Sequence, residues 1–355
     1  MSLERFSADD VLGNLKRFQR RTVDYVFRRL YTDSDPTTRF LVADEVGLGK
    51  TLVARGVIAR TLEHLRDKVG RIDIVYVCSN LAIAQQNIRR LNVLGDGEFA
   101  LSSRLTLLPA HIKKLSSRRV NFVSITPGTS LDPKSRGGIV DERVVIYRIL
   151  RDESWVPSRG LRNLLQCMMG KGNWRWWAEE WPVDIDQGLA EEFRRVVREN
   201  GALRERILDV CDRFRRRKMR KNVPAVDSNR RYDLIGDLRH ALARVCVDAL
   251  EPDLVILDEF QRFKDLLDGD HEAAELAKAL LAYKGKNGEP DARVLLLSAT
   301  PYKMLTLDHE QADDHYPDFI RTLSFLLHHD EQAVSSVERE IQRFRRAIFA
   351  ASDGD

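Results

Sequence analysis

Short apolar runs recur along the chain, each followed by a stretch with helical spacing. Phe40–Ala43 precedes a helical Lys50–Leu62, and Ile72–Cys78 precedes Leu81–Leu91. Arg104–Leu108, Val120–Ile125, Leu254–Leu257 and Val294–Leu297 are further strand candidates. Runs this short, apolar at odd and even positions alike, suit strands covered on both faces. Their alternation with helices predicts an α/β fold with a mostly parallel central sheet flanked by helices.

That rhythm stops over 132–231. There Leu189, Phe193, Val196, Leu203, Ile207, Val210 and Phe214 recur at steps of three, four and seven, one face of a helical hairpin or of one long helix, with Gly201 after Asn200 a break point in it. Leu234, Leu238, Leu242 and Val245 line a further helix, Leu234–Leu250, that leads into the strand at Leu254. The expected organisation is an α/β lobe over 1–131 and 232–305, interrupted by a largely helical insertion over 132–231. A helical C-terminal extension over 306–355 follows, patterned at Phe319–Leu327 and Val337–Ala350.

Composition narrows the class. At 43% hydrophobic the chain can build a packed core, which excludes an intrinsically disordered segment. No run approaches the roughly 20 apolar residues that span a bilayer. The polar Met1–Asp10 lacks the basic-then-apolar order of a signal peptide, so a cytoplasmic chain with no membrane partner is expected. Lys and Arg number 58 against 54 Asp and Glu, so the net charge of +4 does not by itself define a polyanion-binding protein. Cys78, Cys167, Cys211 and Cys246 never form a CxxC pair, which argues against a zinc ribbon or a disulfide framework.

Candidate chemistry begins at Phe40-Leu-Val-Ala-Asp-Glu-Val-Gly-Leu-Gly-Lys-Thr51. A buried strand ends, a loop bearing Gly47 and Gly49 follows, and Lys50-Thr51 open a helix. Glycines let backbone N–H groups curl round an anion, and a helix N-terminus adds partial positive charge. Lys50 can reach the β- and γ-phosphates of a nucleotide, and the Thr51 hydroxyl can ligate Mg²⁺. The general pattern starts with Gly six residues before the lysine, where this chain has Asp44. Leu254-Val-Ile-Leu-Asp-Glu259 supplies the metal-side carboxylate: Asp258 ends an apolar strand and would hold the Mg²⁺, and Glu259 would polarise the attacking water. Val294-Leu-Leu-Leu-Ser-Ala-Thr-Pro301 again ends a strand in small hydroxyl residues, Ser298 and Thr300.

These segments, in this order, resemble the first RecA-like, ATP-binding lobe of superfamily 2 helicases and translocases, most closely the Swi/Snf-type branch. That branch's loop reads Asp-Glu-x-Gly-x-Gly-Lys-Thr, which Asp44–Thr51 matches, so the resemblance assigns Asp44, Gly47, Leu48, Gly49, Lys50 and Thr51 to the ATP site. The family's Asp-Glu-x-His segment is similar to Asp258-Glu-Phe-Gln261, with Gln261 in place of His. Its Ser-Ala-Thr motif is similar to Ser298-Ala-Thr300. Gln261, Ser298 and Thr300 would then couple the ATP site to the nucleic acid. Leu15-Lys-Arg-Phe-Gln-Arg20 resembles a segment whose Gln reads the adenine edge, which makes Gln19 the adenine reader.

The resemblance implies nucleic-acid contacts too. Val77–Asn87 and Ser124–Thr129 are similar to family segments that touch the nucleic-acid backbone, with Asn80 and Thr126 the expected contacts. Arg213–Lys221 holds seven basic residues in nine, so Arg215, Arg216, Arg217 and Lys218 form either a phosphate-tracking patch or a solvated helix end. Trp174, Trp176, Trp177 and Trp181 would stack bases, dock a protein partner or form the insertion's own core. The expected activity is ATP hydrolysis, with ATP and Mg²⁺ as cofactors and nucleic acid, DNA first, as partner. The residues after Pro301 are too few for a second RecA-like lobe, which the family uses for its arginine fingers. Hydrolysis is therefore expected to be weak until such a lobe is supplied in cis or in trans. The alternative is a nucleotide-gated protein-interaction module that does not translocate.

Overall fold

The computed structural model describes residues 3–43, 48–79, 81–95, 101–102, 104–126, 137–215, 223–259, 272–285, 291–298 and 315–352. Its strands are β1 (Arg39–Ala43), β2 (Ile72–Val77), β3 (Leu101–Ser102), β4 (Val120–Ile125), β5 (Leu254–Leu257) and β6 (Arg293–Ser298). They form one sheet in the order β1-β6-β5-β2-β4-β3, and every pairing is parallel. All the strands therefore end on the same edge.

Strand periodicity divides the apolar residues between two layers. Val42, Ile72, Ile74, Tyr76, Leu254, Ile256, Leu295 and Leu297 face one side. They pack there against α1 (Ala8–Leu12), α2 (Arg17–Phe27), α3 (Lys50–Leu65) and α4 (Leu81–Leu91). Val75, Val77, Val123, Val255, Leu257, Val294 and Leu296 face the other. That side is covered by α5 (Leu108–Ser116), by α6 (Val140–Leu150), α7 (Ser158–Gln166), α8 (Lys171–Arg175), α9 (Gln187–Glu199), α10 (Gly201–Arg213) and α11 (Ala225–Leu250), and by a helix at Glu272–Leu281. Connections that run toward β3 use the first layer and those that return use the second, as crossovers of one hand require. The chain is thus an α/β protein with a parallel sheet flanked by helices.

Five of the expected strands appear within a residue of their expected limits, Ile72–Cys78 among them, which closes one residue earlier. The sixth does not form. Leu105–Leu107 make a single tight helical turn and α5 begins at Leu108. Leu105, Leu107 and Leu108 are all buried, and a short buried run fits a helix as well as a strand. Pro109 in the first helical turn, where its missing N–H goes unused, tips this run to helix. The outer strand of the sheet is instead Leu101–Ser102.

The insertion is helical as expected, and α9 and α10 meet at Asn200, whose side chain accepts the Leu203 N–H at 3.0 Å. Its boundary differs, however: residue 231 lies inside α11, a single helix of 26 residues. Val145 and Ile149 of α6, Phe193 of α9, Ile207 of α10 and Leu238 and Leu242 of α11 share one core with Val75, Val123, Val255 and Leu296 of the sheet. The insertion is therefore the second helical layer of the lobe. Trp174 is buried in that core and Trp177 and Trp181 pack against it, while Trp176 is 44% exposed. Arg148 fastens this turn, donating to the carbonyls of Ala178, Val183, Trp177 and Trp181 at 2.8–3.1 Å.

In the C-terminal extension, His315–Leu326 and Glu331–Ser352 are helical, the second starting well before the expected Val337. Among the described residues no helix is long and apolar enough to cross a membrane.

Candidate functional site

The carboxyl ends of β1, β6, β5 and β2 bring the sequence-predicted residues to one edge. Ala43, where β1 ends, pairs with Ser298 of β6, and Leu257 of β5 pairs with both Leu296 and Val77. The chain leaves β2 through α4 on one face and leaves β5 toward the other, so a crevice opens between their ends, where α/β sheets place their ligands. Ser79, Asp258 and Glu259 stand at that point. The end of β1, after which the chain runs to α3, is two strand spacings from β5, about 10 Å.

Gly49 precedes α3 in the left-handed region, with φ of 88°. A Cβ there would lie 2.5 Å from Gln19 Nε2, so the turn is built for glycine. Gln19 is 4% exposed: its Oε1 accepts the Lys16 N–H and its Nε2 donates to the Leu48 carbonyl, each at 3.0 Å. Expected as an adenine reader, Gln19 thus also fastens the loop that opens α3. Lys50 and Thr51 occupy the first turn of that helix, both partly exposed.

Asp258 has the parity of Leu254 and Ile256, which puts its side chain in the layer of α3 and α4. Tyr76 Oη and Asn87 Nδ2 both donate to its Oδ2, the second at 3.2 Å, and the Glu259 N–H donates to its Oδ1 at 3.0 Å. Asn87 Nδ2 also reaches Tyr76 Oη at 2.9 Å. Among the described residues these donors are all neutral and no cation pairs with Asp258. Partly buried charges are usually paired or bound to metal. The carboxylate of Asp258 and the hydroxyl of Thr51 are oxygen donors of the kind a hard cation such as Mg²⁺ takes, so the chemistry of the two residues fits that ion. Glu259 holds φ of 54°, the left-handed region that an L-residue adopts at some cost, as functional sites often do. Its Oε2 accepts from Ser79 Oγ at 3.0 Å.

The remaining expectations divide. Ser298 is buried at the end of β6, beside β1. Thr126 is buried, 3% exposed, just past the end of β4. Arg215 pairs with Asp212 at 3.2 Å and Arg213 with Asp209 at 3.0 Å, so the described end of the basic run is matched by its own helix's acids. Asp44, Gly47, Asn80, Arg216, Arg217, Lys218, Gln261 and Thr300 lie outside the described residues. Three residues that the motifs did not assign to the acidic pair, Tyr76, Ser79 and Asn87, are the ones that hold it. The usable signal was strand parity: Tyr76 alternates with Val75 and Val77 onto the same layer as Asp258.

Comparison of the chain with protein-family models, with curated proteins and with solved structures returns no match. The functional reading therefore rests on the site itself.

Proposed function

We propose that the chain is the RecA-like, ATP-binding lobe of a nucleic-acid-dependent ATPase of the helicase or translocase type. One observation carries the reading: an anionic pair at the switch point of a parallel sheet, its Asp258 held by neutral donors alone, on the same edge as a glycine-opened helix starting Lys50-Thr51. Lys50 would bind the β- and γ-phosphates with the N–H groups of the loop and of the first turn of α3, and Thr51 and Asp258 would hold Mg²⁺. Bound Mg²⁺ would neutralise phosphate charge as it develops. Glu259 would orient and deprotonate the attacking water, and Gln19 would hold the loop against the base.

A second reading, a nucleotide-gated protein-interaction module, is favoured by the ion pairs that occupy Arg213 and Arg215 and by Trp176 standing exposed on the insertion. Steady-state ATP hydrolysis separates the two. Turnover measured with and without duplex DNA, alone and after a second RecA-like lobe is added, should stay at a weak basal rate until lobe and DNA are both present. Nucleotide binding with no response to DNA in either form would favour the second reading.

A further inference from the structure

The geometry points to Tyr76 and Asn87 as positioning residues that hold Asp258 as an unneutralised anion, turned to receive the divalent cation that accompanies the nucleotide. This rests on reading Asp258 as a Mg²⁺ ligand.

Each carboxylate oxygen offers two lone pairs. Oδ2 takes two hydrogen bonds, from Tyr76 Oη and from Asn87 Nδ2, and is filled. Oδ1 takes only the Glu259 N–H, at 3.0 Å, and keeps one lone pair open. Tyr76 and Asn87 thus decide which oxygen is anchored and which remains for a metal. They also decide the charge. A lysine or arginine at either position would neutralise the carboxylate and compete with the cation, whereas a phenol and an amide orient it and leave its full charge.

Tyr76 is suited to this. It is 1% exposed, and its phenol O–H is a neutral donor held against the carboxylate. Asn87 comes from the opposite direction, on α4, and closes a triangle by donating to Tyr76 Oη at 2.9 Å as well. The three groups come from β2, α4 and β5, so the carboxylate is fixed by two other elements besides its own strand. Outer partners of this kind tune metal affinity by about 10- to 100-fold when removed.

The test is a titration of ATP binding against Mg²⁺, with EDTA as the metal-free arm, for the unmodified protein, Tyr76→Phe and Asn87→Ala. Tyr76→Phe keeps the ring in the core, and Asn87 is only partly buried, so both variants should fold. The Mg²⁺ concentration at half-maximal enhancement should rise about 10-fold in each, while affinity in EDTA is unchanged. An unchanged Mg²⁺ midpoint in both variants would overturn the inference, and so would equal losses with and without metal, which mark a merely structural role. Should the unmodified protein bind ATP with no response to Mg²⁺, the assignment of Asp258 itself fails, a result distinct from either of those.

Discussion

Gln19 Nε2 donates to the Leu48 carbonyl at 3.0 Å, a hydrogen bond between residues 29 positions apart that ties α2 to the loop opening α3. The same amide stands where a Cβ on Gly49 would fall. The turn at Leu48-Gly49 is therefore held from outside, by a buried side chain, as well as by its own glycine. Gln19→Ala should weaken ATP binding by about 3- to 10-fold, the worth of one or two hydrogen bonds. It should also narrow the preference for ATP over GTP, read by competition in an equilibrium binding assay.

Ser79 Oγ takes up one lone pair of Glu259 Oε2, the atom a base would use. Ser79 sits between β2 and α4, in the segment whose family resemblance implies contact with nucleic acid. Ser79→Ala should raise DNA-independent hydrolysis by about two- to fivefold in the presence of a second lobe, as expected for freeing one hydrogen bond. Initial-rate ATPase assays without DNA provide the check; a fall would mean that Ser79 orients Glu259 productively.

Glu142, fully buried on α6, joins three parts of the chain. It accepts from Arg239 Nη2 at 3.0 Å, from Arg104 Nη1 at 3.3 Å, from Thr106 Oγ1 at 2.6 Å and from the Ile139 N–H at 2.8 Å. Glu142→Ala strips a buried guanidinium of its carboxylate and should destabilise the fold by about 3–5 kcal/mol. Urea unfolding measures this, and Glu142→Gln should lose less because it keeps an acceptor in place.

Asp73 lies in β2, away from the candidate site. Burial pushes its carboxyl up to about 6, against the opposing pull of Arg71 at 2.8 Å and of the Asn121 amide at 2.8 Å. An unfolded Asp titrates near 3.9. Between about pH 4 and 6 the folded chain therefore keeps a proton that the unfolded chain has released, and stability from this residue falls as pH rises through that window. The loss by pH 7 is on the order of 3 kcal/mol. Asp73→Asn should flatten the slope of unfolding free energy over the window, read from urea melts at pH 4, 5, 6 and 7.

Much of the sheet was legible because buried parallel strands write themselves as short apolar runs closed by polar ends. Leu254–Leu257 before Asp258 and Val294–Leu297 before Ser298 are of this kind. The turn just before Lys50 was legible because a left-handed residue at the head of a helix favours glycine, and Gly49 stands there. Leu105–Leu107 was misread because burial on all sides erases the difference between the two periods. The hold on the acidic pair was not legible for a different reason. Asp258 meets Tyr76 across 182 positions and Glu259 meets Ser79 across 180, and no local pattern records which strands the fold sets side by side. The merging of the insertion's core with the sheet was hidden likewise, since an amphipathic helix such as α11 shows that it has an apolar face and not what that face covers.

The most direct test of the proposed ATP site is calorimetric titration of ATP with Mg²⁺ into the unmodified chain and into Lys50→Ala. Binding by the unmodified chain, and affinity lower by at least about 10-fold in the variant as expected for removing a charge-assisted phosphate contact, would support the assignment. Equal affinity in the two proteins, or no binding by either, would contradict it.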